Sequence, residues 1–249
     1  MIEKFFIDFP AVNGTEKRAA YVYVPDKKGR FPVLYMFDGH NVFFDEDATY
    51  GKCWGMLGFL QKHKIPLIVA AVECNHGANN ERLREYSPFT FTNQKIGKIE
   101  GCGKQTIEWY INTFKPLVDK NYPTLRGRDN TFIAGSSMGG LMSLYAVTQY
   151  NRTFSKAACL SPSIWFASKK LDSMITDSNI ADGTVIYIDY GSNEMRHHKN
   201  MAQRFQKVTS LLLQKGVYLN SRIVPRGDHC EASWEKQLPF FIKTLLYKG

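Results

Sequence analysis

No stretch of this sequence stays apolar long enough to cross a bilayer, which takes roughly 18–20 residues. Pro66 to Val72 is among the longest apolar runs and suits a buried strand instead. The first residues, Met1-Ile2-Glu3-Lys4-Phe5-Phe6-Ile7-Asp8, interrupt their apolar character with charge and lack the continuous core of a signal peptide. These absences predict a soluble, cytoplasmic protein with no membrane partner. Cysteine is scarce: Cys53, Cys74, Cys102, Cys159 and Cys230 are odd in number, scattered, and never paired as CxxC. Neither a disulfide framework nor a zinc motif follows from that spacing, and free thiols in a reducing compartment are expected. Long basic runs are missing too. The net charge is +9, from 32 Lys and Arg against 23 Asp and Glu. It is carried in short groups such as Lys27-Lys28, Lys169-Lys170 and Arg126-Gly127-Arg128. A solvated basic surface is expected, without a nucleic-acid partner. No linker, repeat or low-complexity segment interrupts the chain, so residues 1–249 are expected to form a single domain.

What is present is an alternation of short β-rich runs and longer helical stretches. Ile2–Phe9 and Arg18–Val24 read as two antiparallel strands joined through Asn13-Gly14. Pro32–Phe37, Leu67–Val72, Thr131–Ala134, Ala157–Leu160 and Val185–Ile188 are nearly continuous apolar runs. Strands buried on both faces of a parallel sheet look like this. Thr106–Lys120 carries Ile107, Tyr110, Ile111, Phe114 and Val118 at helical spacing, with Pro116 as a candidate kink. Arg196–Lys215 repeats the pattern with Met201, Phe205, Val208 and Leu212. Tyr218–Val224 reads as a last strand and Ala232–Leu246 as a last helix, while Glu73 to Gly103 shows no clear periodicity and reads as loop. The order predicts an α/β fold: a mostly parallel sheet with helices on both faces, entered through antiparallel N-terminal strands.

Gly135-Ser136-Ser137-Met138-Gly139 follows one of these buried strands and opens a small-residue helix. A sharp strand-to-helix turn lifts one side chain above the sheet edge, and only very small residues fit two positions to either side. Ser137 is therefore the candidate nucleophile. A serine hydroxyl needs a base to remove its proton, and the order expected in this arrangement is serine, acid, histidine. Of six histidines only His197, His198 and His229 follow the elbow. His197 and His198 open a polar helix and are expected in solvent. His229 lies between the last strand and the last helix, at the sheet edge where the elbow opens, and is the candidate base. Glu194 and Asp189 both follow the Val185–Ile188 run; reach favours Glu194 as the acid, and Asp189 serves if the strand ends early. Asp228 adjoins His229, where neighbouring side chains diverge. For the oxyanion, the backbone N–H of Met138 is one expected donor. The other comes from the loop Asp38-Gly39-His40-Asn41, most naturally the His40 amide, with Gly39 allowing the turn. The His40 side chain itself reads as packed or pocket-lining.

With these residues in view the chain resembles the putative-esterase family, a branch of the α/β-hydrolases with esterase D, enterochelin-type esterases, and feruloyl and acetyl esterases. The resemblance rests on Leu34 to Phe43, Trp54, Arg82 to Pro88 with Glu85-Tyr86, Gly135 to Gly140, Leu160 to Trp165, Gly191 to Glu194, and His229 to Trp234. It implies a lightly covered hydrolase with Ser137, Glu194 and His229 as triad, oxyanion donors at His40 and Met138, and a pocket partly walled by Trp165. Phe166 stands where the family often has the second residue of an aromatic pair. No metal or cofactor is called for. The expected activity is hydrolysis of a small-molecule ester, such as an acylated sugar or an aromatic-acid ester, through an acyl-enzyme. An acyltransferase or thioesterase on the same triad, and a non-catalytic ligand-binding protein on the hydrolase scaffold, are the alternatives.

Overall fold

A computed structural model describes residues 1–11, 14–77, 81–93, 97–197 and 199–247. Asn13, Asn79, Asn80 and His198, singled out in the sequence, lie outside them. The chain divides into two compact units, residues 1–132 and 133–249.

The first unit opens with the expected hairpin. β1 (Ile2–Ala11) pairs antiparallel with β2 (Gly14–Tyr23), from Ile2 opposite Tyr23 to Ala11 opposite Gly14. It runs beyond the apolar pattern because polar residues sustain the ladder there, Lys17 reaching Asp8 at 2.6 Å across the strands. β3 (Val33–Met36) is followed by α1 (Met56–Lys62) and then β4 (Ile68–Val72), which lies parallel to β3 and antiparallel to β2. The strand order is β1-β2-β4-β3, and every residue of β3 and β4 is buried, as their unbroken apolar runs require. The stretch expected as loop from Glu73 to Gly103 holds α2 (Glu81–Glu85) and a small hairpin, β5 (Phe91–Asn93) with β6 (Gly97–Ile99). These pieces are too short to show a period. The long helix arrives in three parts: α3 (Gly103–Trp109), a π turn over Tyr110–Phe114, and α4 (Lys115–Asn121). Pro116 thus falls in the first turn of α4, where its missing N–H is tolerated.

The second unit alternates strand and helix throughout. β7 (Thr131–Ser136) leads through the elbow into α5 (Met138–Gln149), followed by β8 (Lys156–Leu160), α6 (Ser168–Asp177), β9 (Val185–Gly191) and α7 (Ser192–Met195). Then come α8 (Met201–Gln214), β10 (Tyr218–Val224), α9 (Glu231–Glu235) and α10 (Leu238–Leu245). The strand order is β7-β8-β9-β10, and β8, β9 and β10 are parallel. α8 buries the predicted stripe of Met201, Phe205, Val208 and Leu212. It starts at Met201 rather than Arg196, just after the left-handed Asn200. The expected last helix is two, because Pro239 cannot continue α9 and instead sits in the first turn of α10. Across the chain the sheet is mostly parallel with antiparallel strands at the N-terminus, as the sequence pattern predicts. Among the described residues no helix is long and apolar enough to cross a membrane.

One brace in the first unit sets the loop after β3. Asp38 turns the chain with φ 54°. Its carboxylate accepts two hydrogen bonds from Arg82, at 2.7 and 2.6 Å, and its N–H donates to the Tyr86 hydroxyl at 3.1 Å. Burial acts to raise the Asp38 pKa, but the Arg82 charge and hydrogen bonds outweigh it and hold the carboxyl below its usual range. Removing one partner of such a pair strands the other charge. Arg82→Ala is expected to lower unfolding stability by about 3 kcal/mol. Arg82→Lys should restore only part of it, since a single ammonium does not reproduce the two-pronged contact. Urea titration of the three proteins checks this.

Candidate active site

The elbow is built by close packing of very small residues. Ser137 stands between β7 and α5 with φ 57° and ψ −121°, a strained conformation for a residue with a side chain. A Cβ placed on Gly135 would lie 2.7 Å from the Gly139 backbone, so the turn closes only with glycine there. The Ser137 N–H donates to Leu160 O at 3.0 Å, and Ser137 O accepts from Ser163 N–H at 3.0 Å. Met138, the first residue of α5, aims the helix N-terminus at the same place.

Glu194 and His229 are brought together. Glu194, on α7, is 5% exposed, and its Oε2 accepts from His229 Nδ1 at 2.7 Å. Its other oxygen, Oε1, accepts from the Ser161 hydroxyl at 2.6 Å and from the Gly191 N–H at 3.0 Å. Ser161 Oγ in turn accepts from Trp234 Nε1 at 3.1 Å, and the His229 ring stands edge-on to Trp234, centroids 5.1 Å apart. The His229 side chain is 46% exposed, and with Nδ1 held by Glu194 it is Nε2 that is left uncommitted to the carboxylate. A continuous set of contacts therefore runs from the elbow through Leu160 and Ser163, by way of Ser161, to Glu194 and His229.

The other carboxylates point elsewhere. β9 extends to Gly191, so Asp189 lies within the strand and not beyond it. Its Oδ1 accepts from Ser161 N–H at 3.1 Å and its Oδ2 from the Tyr187 hydroxyl at 2.8 Å. Burial, the largest effect, pushes its pKa up to about 7, and the Glu194 charge adds to the shift. Asp228 Oδ1 accepts from Asn193 Nδ2 at 3.0 Å.

His40 is 4% exposed, with Nε2 3.0 Å from Thr49 Oγ1 and its ring 4.4 Å from that of His76. Burial lowers its pKa to about 4, so the ring is neutral. The turn here is made by Asp38 and not, as expected, by Gly39. Gly39 is needed for space, because a Cβ there would lie 2.7 Å from the Val72 backbone on β4. Trp165 is 44% exposed and edge-on to the buried Phe166 at 5.8 Å, so it is not a core residue. His197 lies in the turn before α8. Sequence reasoning gave no role to Ser161 and Trp234. Their signal lay in the segments Leu160–Trp165 and His229–Trp234, but spacing alone does not show that one hydroxyl joins them.

An α/β fold with a strained serine at a strand-to-helix elbow, and a buried carboxylate on an exposed histidine, defines an enzyme of the α/β-hydrolase class. The chain belongs to the family described as "Putative esterase", whose model matches residues 13–244. It is 26% identical over 196 residues to the "Uncharacterized protein YbbA" of Bacillus subtilis (strain 168), covering 76% of this chain and 73% of that protein. Among solved structures it is similar to "Enterobactin and Salmochelin Hydrolase IroE", with TM-score 0.72, 20% identity, and coverage of 99% of this chain and 96% of that one. It is also similar to an IroE-like serine hydrolase from Shewanella oneidensis, with TM-score 0.75, 18% identity, and coverage of 97% and 79%.

The buried Asp189 carries a pH signature. A folded pKa of about 7, above the ordinary carboxylate value, means the folded state holds this proton more tightly than the unfolded chain does. The associated stability is full below pH ~4 and is lost as pH rises through about 7. Asp189→Asn lacks this titration. Its stability relative to wild type is expected to rise between pH 4 and 7, by up to a few kcal/mol, measured by denaturant unfolding across that range.

Proposed function

We propose that the protein is a serine carboxylic-ester hydrolase acting through an acyl-enzyme, with Ser137 as nucleophile, His229 as base and Glu194 as acid. The observation that carries this reading is the 2.7 Å Glu194–His229 hydrogen bond, joined by the Ser161 segment to the elbow serine. With Nδ1 held by Glu194, His229 Nε2 takes the proton from Ser137 Oγ as it attacks the carbonyl, then returns it to the departing alcohol. Glu194 stabilises the imidazolium formed in between. In this reading the Met138 N–H and, as the Asp38-Gly39-His40 pattern expects, the His40 N–H receive the oxyanion. Water then attacks the acyl-enzyme by the same proton path.

The family match spans residues 13–244, and the reading treats the whole chain as one hydrolase domain. The substrate is read as a small-molecule ester with an aromatic acyl part or an acylated sugar. Trp165 supports this as a pocket wall: it is half exposed and two positions from Ser163, which binds the nucleophile's carbonyl.

Ser137→Ala and His229→Ala are each expected to lower kcat on short aryl esters about 10³-fold or more, and a fluorophosphonate probe should label Ser137 in the wild type. Full activity in Ser137→Ala would overturn the nucleophile assignment, and no labelling would favour a ligand-binding role instead. Glu194→Gln should reduce kcat far more than Asp189→Asn; the reverse order would reassign the acid. A panel of acetyl, butyryl, feruloyl and thioester substrates, with and without added alcohol acceptors, separates esterase from thioesterase and acyltransferase.

A further inference from the structure

The first unit gathers three further side chains with the chemistry of a metal site. One ring nitrogen each of His40 and His76 and the Cys74 Sγ all lie within 4.8 Å of one another. His40 comes from the loop after β3, and Cys74 and His76 from the segment just after β4. His40 Nδ1 is buried with no hydrogen-bond partner, which is costly for a ring nitrogen unless something fills the place. Its other nitrogen is engaged by Thr49 Oγ1 at 3.0 Å. Metal-ligating histidines are held this way, one nitrogen fixed by an outer partner and the other left for the ion.

We propose that His40 Nδ1, Cys74 Sγ and a ring nitrogen of His76 form a binding site for a thiophilic divalent cation, Zn²⁺ being the best fit. Two imidazoles and one thiolate match the ligand preference of Zn²⁺ and not that of Mg²⁺ or Ca²⁺. Tetrahedral Zn²⁺ with bonds of about 2.0–2.3 Å holds its ligand atoms roughly 3.3–3.7 Å apart. The set therefore closes by about an ångström on binding, which the exposed His76 side chain supplies. Cys74, buried against the Asp38 carboxylate, is a thiol in the metal-free protein and releases its proton to solvent when the metal–sulfur bond forms. Glu73 Oε2, 3.7 Å from His76 Nε2, provides an acidic neighbour for that ring. Three protein ligands leave a fourth position for water. The inference does not rest on the esterase reading and stands or falls on binding alone.

The test is titration of the chelator-stripped, reduced full-length protein with Zn²⁺ by calorimetry and with Co²⁺ by absorption spectroscopy. One ion per chain is expected, with a thiolate-to-cobalt charge-transfer band, and no binding of Mg²⁺. Cys74→Ser should abolish the band. His76→Ala, at an exposed position, should weaken binding at least as strongly as Thr49→Val. Thr49→Val removes the outer partner of His40 and is expected to weaken binding about 10-fold or more. Absence of saturable Zn²⁺ binding would overturn the proposal. So would Zn²⁺ affinity unchanged in His76→Ala, or a cobalt spectrum without the thiolate band.

Discussion

A carboxylate taken out of water has to be given hydrogen bonds in return, and Glu194 is the carboxylate on which the second unit turns. Its three donors come from three separate segments. Gly191 ends β9, Ser161 follows β8 with φ 41°, and His229 lies in the loop before α9. Trp234 on α9 then fastens Ser161 from the other side. One buried charge thereby fixes loops that approach it from different directions. It also decides which nitrogen of His229 faces outward, because Nδ1 is the one committed to the carboxylate.

Asp189 shows that burial alone does not bring a carboxylate to His229. It is as deeply enclosed as Glu194, and the two influence one another. Its oxygens are taken by the Tyr187 hydroxyl and the Ser161 N–H, which ties it to β9 and to the residue that supports Glu194. Desolvation and the neighbouring charge both push Asp189 toward its protonated form. The difference lies in the chain path: Asp189 sits inside β9, while Glu194 lies three residues past Gly191, the end of that strand, on a short helix that turns back.

Most of the architecture was legible because buried parallel strands and amphipathic helices write themselves as apolar runs and periods. The elbow was legible for a steric reason, the need for very small residues around Ser137, and at Gly135 that need appears as contact with the Gly139 backbone. The sequence favours Glu194 over Asp189 on reach alone, and reach depends on where β9 ends; Asp189-Tyr190-Gly191 has the composition of a strand end while being wholly buried. Glycine is the usual residue at positive φ, which makes Gly39 the expected turn residue after β3. Asp38 takes that conformation instead, held there by Arg82 and Tyr86 from a segment with no periodic signal. The small elements between Glu73 and Gly103 and the π turn before Pro116 were hidden for a related reason: each is stabilised by tertiary partners and not by its own pattern.

The strain at Ser137 follows from the same economy of contacts. A non-glycine residue at φ 57° and ψ −121° costs on the order of 1–3 kcal/mol, and it persists only where its surroundings leave no alternative. Here both backbone groups of Ser137 are fixed, the N–H to Leu160 and the carbonyl to Ser163, on either side of the Ser161 that supports Glu194. Relaxing the serine would therefore break bonds in the segment that holds the carboxylate. The conformation that exposes the hydroxyl and the hydrogen bond that orients the histidine are two consequences of one packed turn after β8. That coupling ties the backbone of the elbow and the orientation of His229 to the same few residues.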